Sequence, residues 1–236
     1  MEKLILNTYK DALTHVIFPK MCAHCDAEIG RFEDFLCHAC WEKVEPTYYE
    51  MLKEDTALDK LFYARVKLKS SYALFHFSEG NPIQSLLHNL KYKHKEKVGL
   101  YLGKCLGVKI KEIHKATYFD AIIPVPIHPK KEFQRGYNQC DSLCRGLANI
   151  LQIPVDKHLL IKNKYTNSQT KNNKWERWEN TLGNFTLKQQ DMPYKSILIV
   201  DDVITTGSTL ESLCTSLTKE HPSLEISIAS IAFAGR

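Results

Sequence analysis

The chain has 236 residues, 44% of them hydrophobic and 25% charged, an ordinary globular composition with enough apolar mass for one sizeable core and a small appendage. A formal net charge of +5 excludes wholesale coating of a polyanion while leaving room for local phosphate sites. No apolar run reaches the roughly 18 residues needed to span a bilayer, and Lys10, Asp11 and His15 interrupt the stretch where a secretory signal needs an unbroken apolar core, so a cytoplasmic chain with no transmembrane segment is expected.

In chain order, Leu4, Leu6, Tyr9, Leu13, Val16 and Ile17 predict an amphipathic helix over residues 1–18. Next come Cys22, Cys25, Cys37 and Cys40, two C-x2-C knuckles separated by eleven residues. Four thiolates at that spacing suit tetrahedral structural zinc, with His24 and His38 as substitute ligands inside the knuckles. Disulfides are the weaker reading in a reducing compartment. Cys105, Cys140, Cys144 and Cys214 fall in helical patterns and read as buried, inert thiols.

Pro46 opens a polar linker. The alternation from Val66 to Phe77 predicts a strand or hairpin, and Asn81-Pro82 predicts a helix start, with that helix ending in LKYKHK at 90–95. A helix over Val98–Ile113, a strand over Tyr118–Val125, a helix over Tyr137–Leu151 and a short strand over Leu159–Lys162 follow. A long polar loop at 163–183 then precedes a last strand, helix and strand. This alternation predicts an α/β chain with a doubly wound, mostly parallel sheet, and a loop of that length predicts a lid or binding loop. The expected division is residues 1–50 for the helix and cysteine module and 60–236 for the α/β domain.

The most informative stretch is ILIVDDVITTGSTL at 197–210. Ile197–Val200 suits a strand buried on both faces, and Ser208 begins a helix. The turn Thr205-Thr206-Gly207-Ser208-Thr209 offers free backbone N–H groups, hydroxyls and a positive dipole end, which together make a phosphate cradle. Asp201 and Asp202 would repel a phosphate, so they must serve hydroxyl groups one sugar-length away or a divalent cation. A ribose 5-phosphate meets both demands. Receiver and acid-phosphatase-like folds also place an acidic pair after a strand, but lack the TTGST turn. Helix capping alone would need only one acid.

The stretch resembles the 5-phosphoribosyl-1-diphosphate (PRPP) motif of type I phosphoribosyltransferases. With LKYKHK, with PVPIHPKKEFQRGYNQ at 124–139, and with Thr166, Gln169, Arg177 and Asn180 at T-x2-Q-x7-R-x2-N spacing, the chain resembles the ComF (competence protein FC) family over nearly everything beyond residue 18. That resemblance implies a type I phosphoribosyltransferase fold with an N-terminal zinc-binding module. It further implies that Lys130, Lys131 and Arg135 grip pyrophosphate, and that the 163–183 loop closes as a hood carrying Lys171, Lys174 and Arg177, with Trp175 and Trp178 packing or stacking there. Magnesium would accompany PRPP, with Asp201 and Asp202 holding hydroxyls or metal. His128 is as well read as structural. Lys91, Lys93 and Lys95 either line the opposite rim or form a solvated helix end.

Two function classes follow. One is a magnesium-dependent glycosyltransferase moving phosphoribosyl to an amine or base. The other is a non-catalytic competence protein that keeps the PRPP pocket and holds single-stranded DNA, with a competence helicase as the partner the resemblance implies. Between residues 85 and 135 eleven Lys/Arg face four Asp/Glu, a local excess that serves substrate phosphates or a strand backbone equally well.

Overall fold

A computed structural model describes residues 19–30, 33–49, 55–92, 95–113, 118–163, 184–188 and 192–235. The helix expected at 1–18 and residues 164–183 of the polar loop lie outside them. In chain order the elements are α1 (His38–Trp41), α2 (Ala57–Phe62), β1 (Ser70–His76), α3 (Pro82–Tyr92), α4 (Glu96–Ile113), β2 (Ala121–Pro124), α5 (Pro129–Arg135), α6 (Gln139–Leu151), β3 (Leu160–Lys162), β4 (Phe185–Leu187), β5 (Ser196–Ile204), α7 (Ser208–Glu220) and β6 (Glu225–Phe233).

Four of the strands form one parallel sheet in the order β1-β6-β5-β2. Successive side chains of a strand point to opposite faces, and here both faces are covered. Leu198 and Val200 enter a core shared with α3, α4, α6 and the cysteine module, whereas Ile197 and Ile199 enter a second core shared with α2, α7, β3 and β4. That is why the run Ile197–Val200 is aliphatic without alternation. Segment 66–77 resolves to the single strand β1, paired in parallel with β6.

Leu159–Lys162 departs from the expected alternation. Its strand, β3, joins no parallel sheet but pairs antiparallel with β4. Its pattern explains this: Leu160 is buried and Ile161 exposed, so only one face has a core to meet, as in a ribbon laid over the domain rather than a central strand.

The long helix α4 lies against α6 at backbone contact. A Cβ on Gly103 would stand 2.1 Å from the Leu143 carbonyl oxygen, and one on Gly146 would stand 2.3 Å from that of Leu100. This close approach brings the N-terminus of α6 up beneath the sheet's carboxyl edge, where ligands of open α/β sheets collect.

Candidate functional site

The acid pair sits at a step in the sheet. Pairing of β5 with β2 stops at Pro124 opposite Val200, while pairing with β6 continues to Phe233 opposite Ile204. Asp201 and Asp202 therefore lie one and two residues beyond the end of β2, on a strand supported from one side only. Strand alternation starts them on opposite faces, yet their carboxylate oxygens stay within 4.8 Å of one another. Asp202 lies on the side of α3, where its Oδ2 meets Lys91 Nζ at 2.5 Å. Asp201 lies on the side of α6, where its Oδ1 accepts from the Asp202 backbone N–H at 2.8 Å and from the Cys140 thiol at 3.8 Å.

Burial, then the neighbouring Asp202 carboxylate, pushes the Asp201 carboxyl up to about 7. Burial likewise opposes the charged form of Lys91, but the charges of Asp202 and Asp201 outweigh it and hold the ammonium above the usual lysine range, against an opposing push from Arg135. Cys140 is pushed well up by burial and by both acids. It is buried, as expected, and it touches Asp201. The sulfur and the two carboxylates lie within 4.8 Å of one another and could hold a metal ion, with the oxygens the better donors for a hard cation.

The five residues after the strand, expected as a phosphate cradle, form the turn that leads into α7. Gly207 is the N-cap of α7 at φ 71°, and no side chain caps that helix. Thr205, Thr206 and Ser208 are exposed and Thr209 half-buried, so hydroxyls flank uncapped backbone N–H groups at the positive end of a 13-residue helix. Gly207 is required twice over: its φ is left-handed, and a Cβ there would stand 2.9 Å from Phe62 Cζ. Phe62 and Leu61 of α2 thus form the floor of the loop, and Arg65 Nη1 donates to the Thr206 carbonyl at 2.9 Å while pairing with Glu211. Nothing local in the sequence flags this brace, which comes from 141 residues away.

The expected pyrophosphate loop contains the short helix α5. His128 caps it, accepting from Lys130 N at 3.1 Å. Gly136 ends it in the left-handed region. Lys130 is exposed, while Lys131 and Arg135 are half-buried. Arg135 lies over the Tyr92 ring at 5.4 Å and donates to Gln139 Oε1 at 2.9 Å. Tyr137 OH donates to the Leu90 carbonyl, so the end of α3 and the 128–137 segment form one wall. A cation that sequence reasoning missed is Lys162 on β3. Burial and then the charge of Lys131 lower its ammonium below the usual range, and Asp201 pulls it back. The tripeptide Leu160-Ile161-Lys162 carries no local signal of its antiparallel pairing. Lys93, Lys171, Lys174, Arg177, Trp175 and Trp178 lie outside the described residues.

The second site is the cysteine cluster. The sulfurs of Cys22, Cys25, Cys37 and Cys40 all lie within 4.8 Å of one another, with Cys25 and Cys37 3.6 Å apart. Zinc–sulfur bonds of about 2.3 Å would set tetrahedral S···S edges of about 3.8 Å, so the donor set fits such an ion. Burial works against the Cys22 thiolate, but backbone N–H groups of Cys25, Cys37 and His24 outweigh it and lower this thiol to about 6. Burial and the other three thiols push Cys40 far up, the mutual conflict that a cation would relieve. The two histidines point elsewhere: His24 Nδ1 bonds Ser85 Oγ at 3.0 Å, and His38 pairs with Glu42. Phe35 and Trp41 pack on Tyr101 of α4 at ring separations of 5.5 and 6.2 Å.

A cavity of about 670 Å³ lies at the other end of the sheet, by Tyr49, Tyr63, Tyr72 and Tyr118. Its carboxylates are engaged within the fold, Asp59 by Thr56 and Ser71 and Asp55 by Tyr63. No helix among the described residues is long and apolar enough to cross a membrane.

Comparison with known proteins agrees with this geometry. The phosphoribosyl transferase domain model matches residues 140–236, which hold β3 to β6, the acid pair and the cradle. Competence protein F of Haemophilus influenzae is 28% identical over 219 residues, covering 84% of this chain and 90% of that protein. DNA utilization protein YhgH of Escherichia coli (strain K12) is 28% identical over 135 residues, and that of Salmonella typhi 29% over 137, each match spanning 56% of this chain and 59% of the relative. The chain is a homologue of competence protein F, with an α/β phosphoribosyl transferase domain and a four-cysteine cluster able to hold a metal.

Proposed function

We propose that the acid-pair pocket binds PRPP with magnesium and transfers its phosphoribosyl group to an amine or base. The observation that carries this reading is the conjunction, on one loop, of an uncapped helix N-terminus and two carboxylates one strand-end away. Backbone N–H groups and hydroxyls of Thr205–Thr209 bind the 5-phosphate, and Asp202 and Asp201 hold ribose hydroxyls or metal. Lys131 and Arg135, with Lys171 and Arg177 from the hood loop, take the pyrophosphate, while Lys130 faces solvent at its rim. Magnesium, which Asp201 and Asp202 would hold, would supply charge neutralisation for the diphosphate.

The protein's own contribution is electrostatic. As the C1–O bond breaks, negative charge grows on the departing diphosphate and positive charge on the sugar ring. Cations fixed on α5 and acids fixed on β5 favour that separation over the bound ground state.

The four-cysteine cluster is read as structural zinc, since four protein ligands leave no coordination position for substrate. On this reading residues 1–50 form a zinc module supporting a domain of residues 60–236, in the cytoplasm. A second reading is favoured by the relatives' names and by the cation excess of residues 85–135: a protein of DNA uptake that keeps the PRPP pocket and binds single-stranded DNA without catalysis.

One experiment separates the two. Diphosphate release from PRPP in the presence of magnesium and a panel of amines and nucleobases is measured beside affinity for single-stranded DNA, in wild type and in an Asp201→Asn, Asp202→Asn double variant. The enzyme reading expects release in wild type and its loss in the variant, with DNA affinity unchanged or slightly higher because only acids are removed. Absence of release with every acceptor, together with DNA binding, favours the second reading.

A further inference from the structure

The contact between Lys91 and Asp202 is unusual for a helix-terminal lysine. Asp202 is 5% exposed, Lys91 reaches it at 2.5 Å, and the two come from α3 and β5, which are not sequence neighbours. Removing two charges from water is expensive, and a buried ion pair often stabilises a fold no more than apolar residues of the same size. A pair of this kind at the ligand end of a sheet therefore calls for a role in the site.

The surroundings supply one. Lys91 faces both acids and has Arg135 beside it, on the wall that the Tyr137–Leu90 and Arg135–Tyr92 contacts hold together. Its ammonium thus lies between the carboxylates that would face a metal and the cations that would face a diphosphate. We propose that Lys91 is the exchangeable counter-ion of the acid pair: it neutralises Asp202 while the pocket is empty, and passes to the diphosphate oxygens when a divalent cation takes its place on the carboxylates. This rests on the PRPP reading above and adds to it a partner exchange at a named atom.

The exchange has two consequences of opposite sign. An ammonium already seated on Asp202 competes with a free divalent cation, so the empty protein should bind magnesium alone poorly. Once released, the same ammonium adds attraction for the diphosphate, so metal and diphosphate should bind cooperatively. A lysine with a purely structural role would produce neither effect.

The test uses the zinc-loaded full chain and calorimetric titration with magnesium alone, with inorganic pyrophosphate alone, and with both. Lys91→Met keeps the apolar stem and removes the charge. It should bind magnesium alone more tightly by about tenfold and magnesium pyrophosphate more weakly by a similar factor, the range typical of coupled sites. Asp202→Asn removes the partner instead and should strengthen binding of metal-free pyrophosphate, because Lys91 is then unengaged; this arm stands even if Lys91→Met fails to fold. Loss of thermal stability in both variants with unchanged magnesium and pyrophosphate affinities would overturn the proposal, as would parallel weakening of both ligands in Lys91→Met. Wild-type protein that binds neither PRPP nor pyrophosphate with magnesium would overturn the PRPP reading itself, an outcome distinct from intact wild-type binding with unaltered variants.

Discussion

The cysteine cluster and the acid pocket are both small polar sets held in an apolar frame, and they are assembled in opposite ways. The cluster is local: its four sulfurs span Cys22 to Cys40, and two tight knuckles bring them within 4.8 Å. The pocket draws Lys91 from α3, Lys131 and Arg135 from α5, Cys140 from α6, Lys162 from β3 and the acids from β5. Their electrostatics also differ in sign of need. The cluster gathers thiols that oppose one another's ionisation, a conflict a bound cation would relieve. In the pocket Asp202 is already paired with Lys91, and burial with the neighbouring carboxylate raises the Asp201 carboxyl. One site should therefore matter chiefly for stability and the other chiefly for chemistry.

The largest expected effect breaks the cluster. Cys22→Ser removes the thiol most ready to ionise, and structural zinc contributes its binding energy to folding. The unfolding midpoint should fall by on the order of 10 °C, and metal analysis should find well below one zinc per chain, against one for wild type. An unchanged midpoint with full zinc content would break the comparison. Next is Asp201→Asn. It removes a carboxylate whose ionised form is opposed by burial and by Asp202, so turnover should fall about a hundredfold while the unfolding midpoint stays level or rises. A midpoint drop as large as that of Cys22→Ser would show that the pocket is structural after all.

Gly207→Ala lies between the two. A left-handed φ of 71° and a Cβ 2.9 Å from Phe62 should cost about 1 to 3 kcal/mol of stability, seen as a lower midpoint, and should weaken phosphate binding as the loop shifts off α2. The pH dependence is the subtler effect to read, because the cysteine site titrates over the same range with the opposite sign. The Asp201 carboxyl is pushed up to about 7 in the folded chain from about 4 when unfolded, so the folded state holds a proton that the unfolded state loses. Its stabilising contribution is complete below pH ~4 and is lost as pH rises through ~7. The thiolates of a zinc site act the other way, since acid displaces the metal. The midpoint difference between wild type and Asp201→Asn isolates the first term and should shrink or reverse in favour of the variant from pH 5 to 8.

This contrast also explains what could be read from the sequence. The Cys22–Cys40 spacing, the Ile197–Val200 run and the TTGST turn are each contiguous, so their local geometry follows from residue type and periodicity, and the structure places all of them as expected. The parallel sheet follows from the alternation of helices and strands. The exceptions depend on distance. Lys162 looked like the end of a strand, and only the antiparallel pairing of β3 with β4 carries it toward Lys131 and Asp201. Lys91 is one of three alternate lysines in LKYKHK, and nothing in that string tells which one turns inward. The brace of Phe62, Leu61 and Arg65 under Gly207 exists only because α2 folds back on a loop far along the chain. Cys140 was correctly read as a buried thiol, yet the sheet step at Pro124 is what brings it against Asp201.

The central claim is that a phosphate cradle and an acid pair on one loop make a single PRPP site. Calorimetric titration of the zinc-loaded protein with PRPP, with and without magnesium, tests it most directly. The account predicts saturable one-to-one binding that strengthens with magnesium, weaker binding of ribose 5-phosphate, which has the cradle's phosphate but lacks the diphosphate, and loss of the magnesium effect in the Asp201→Asn, Asp202→Asn variant. Silence toward both PRPP and ribose 5-phosphate in folded, zinc-loaded protein would contradict it.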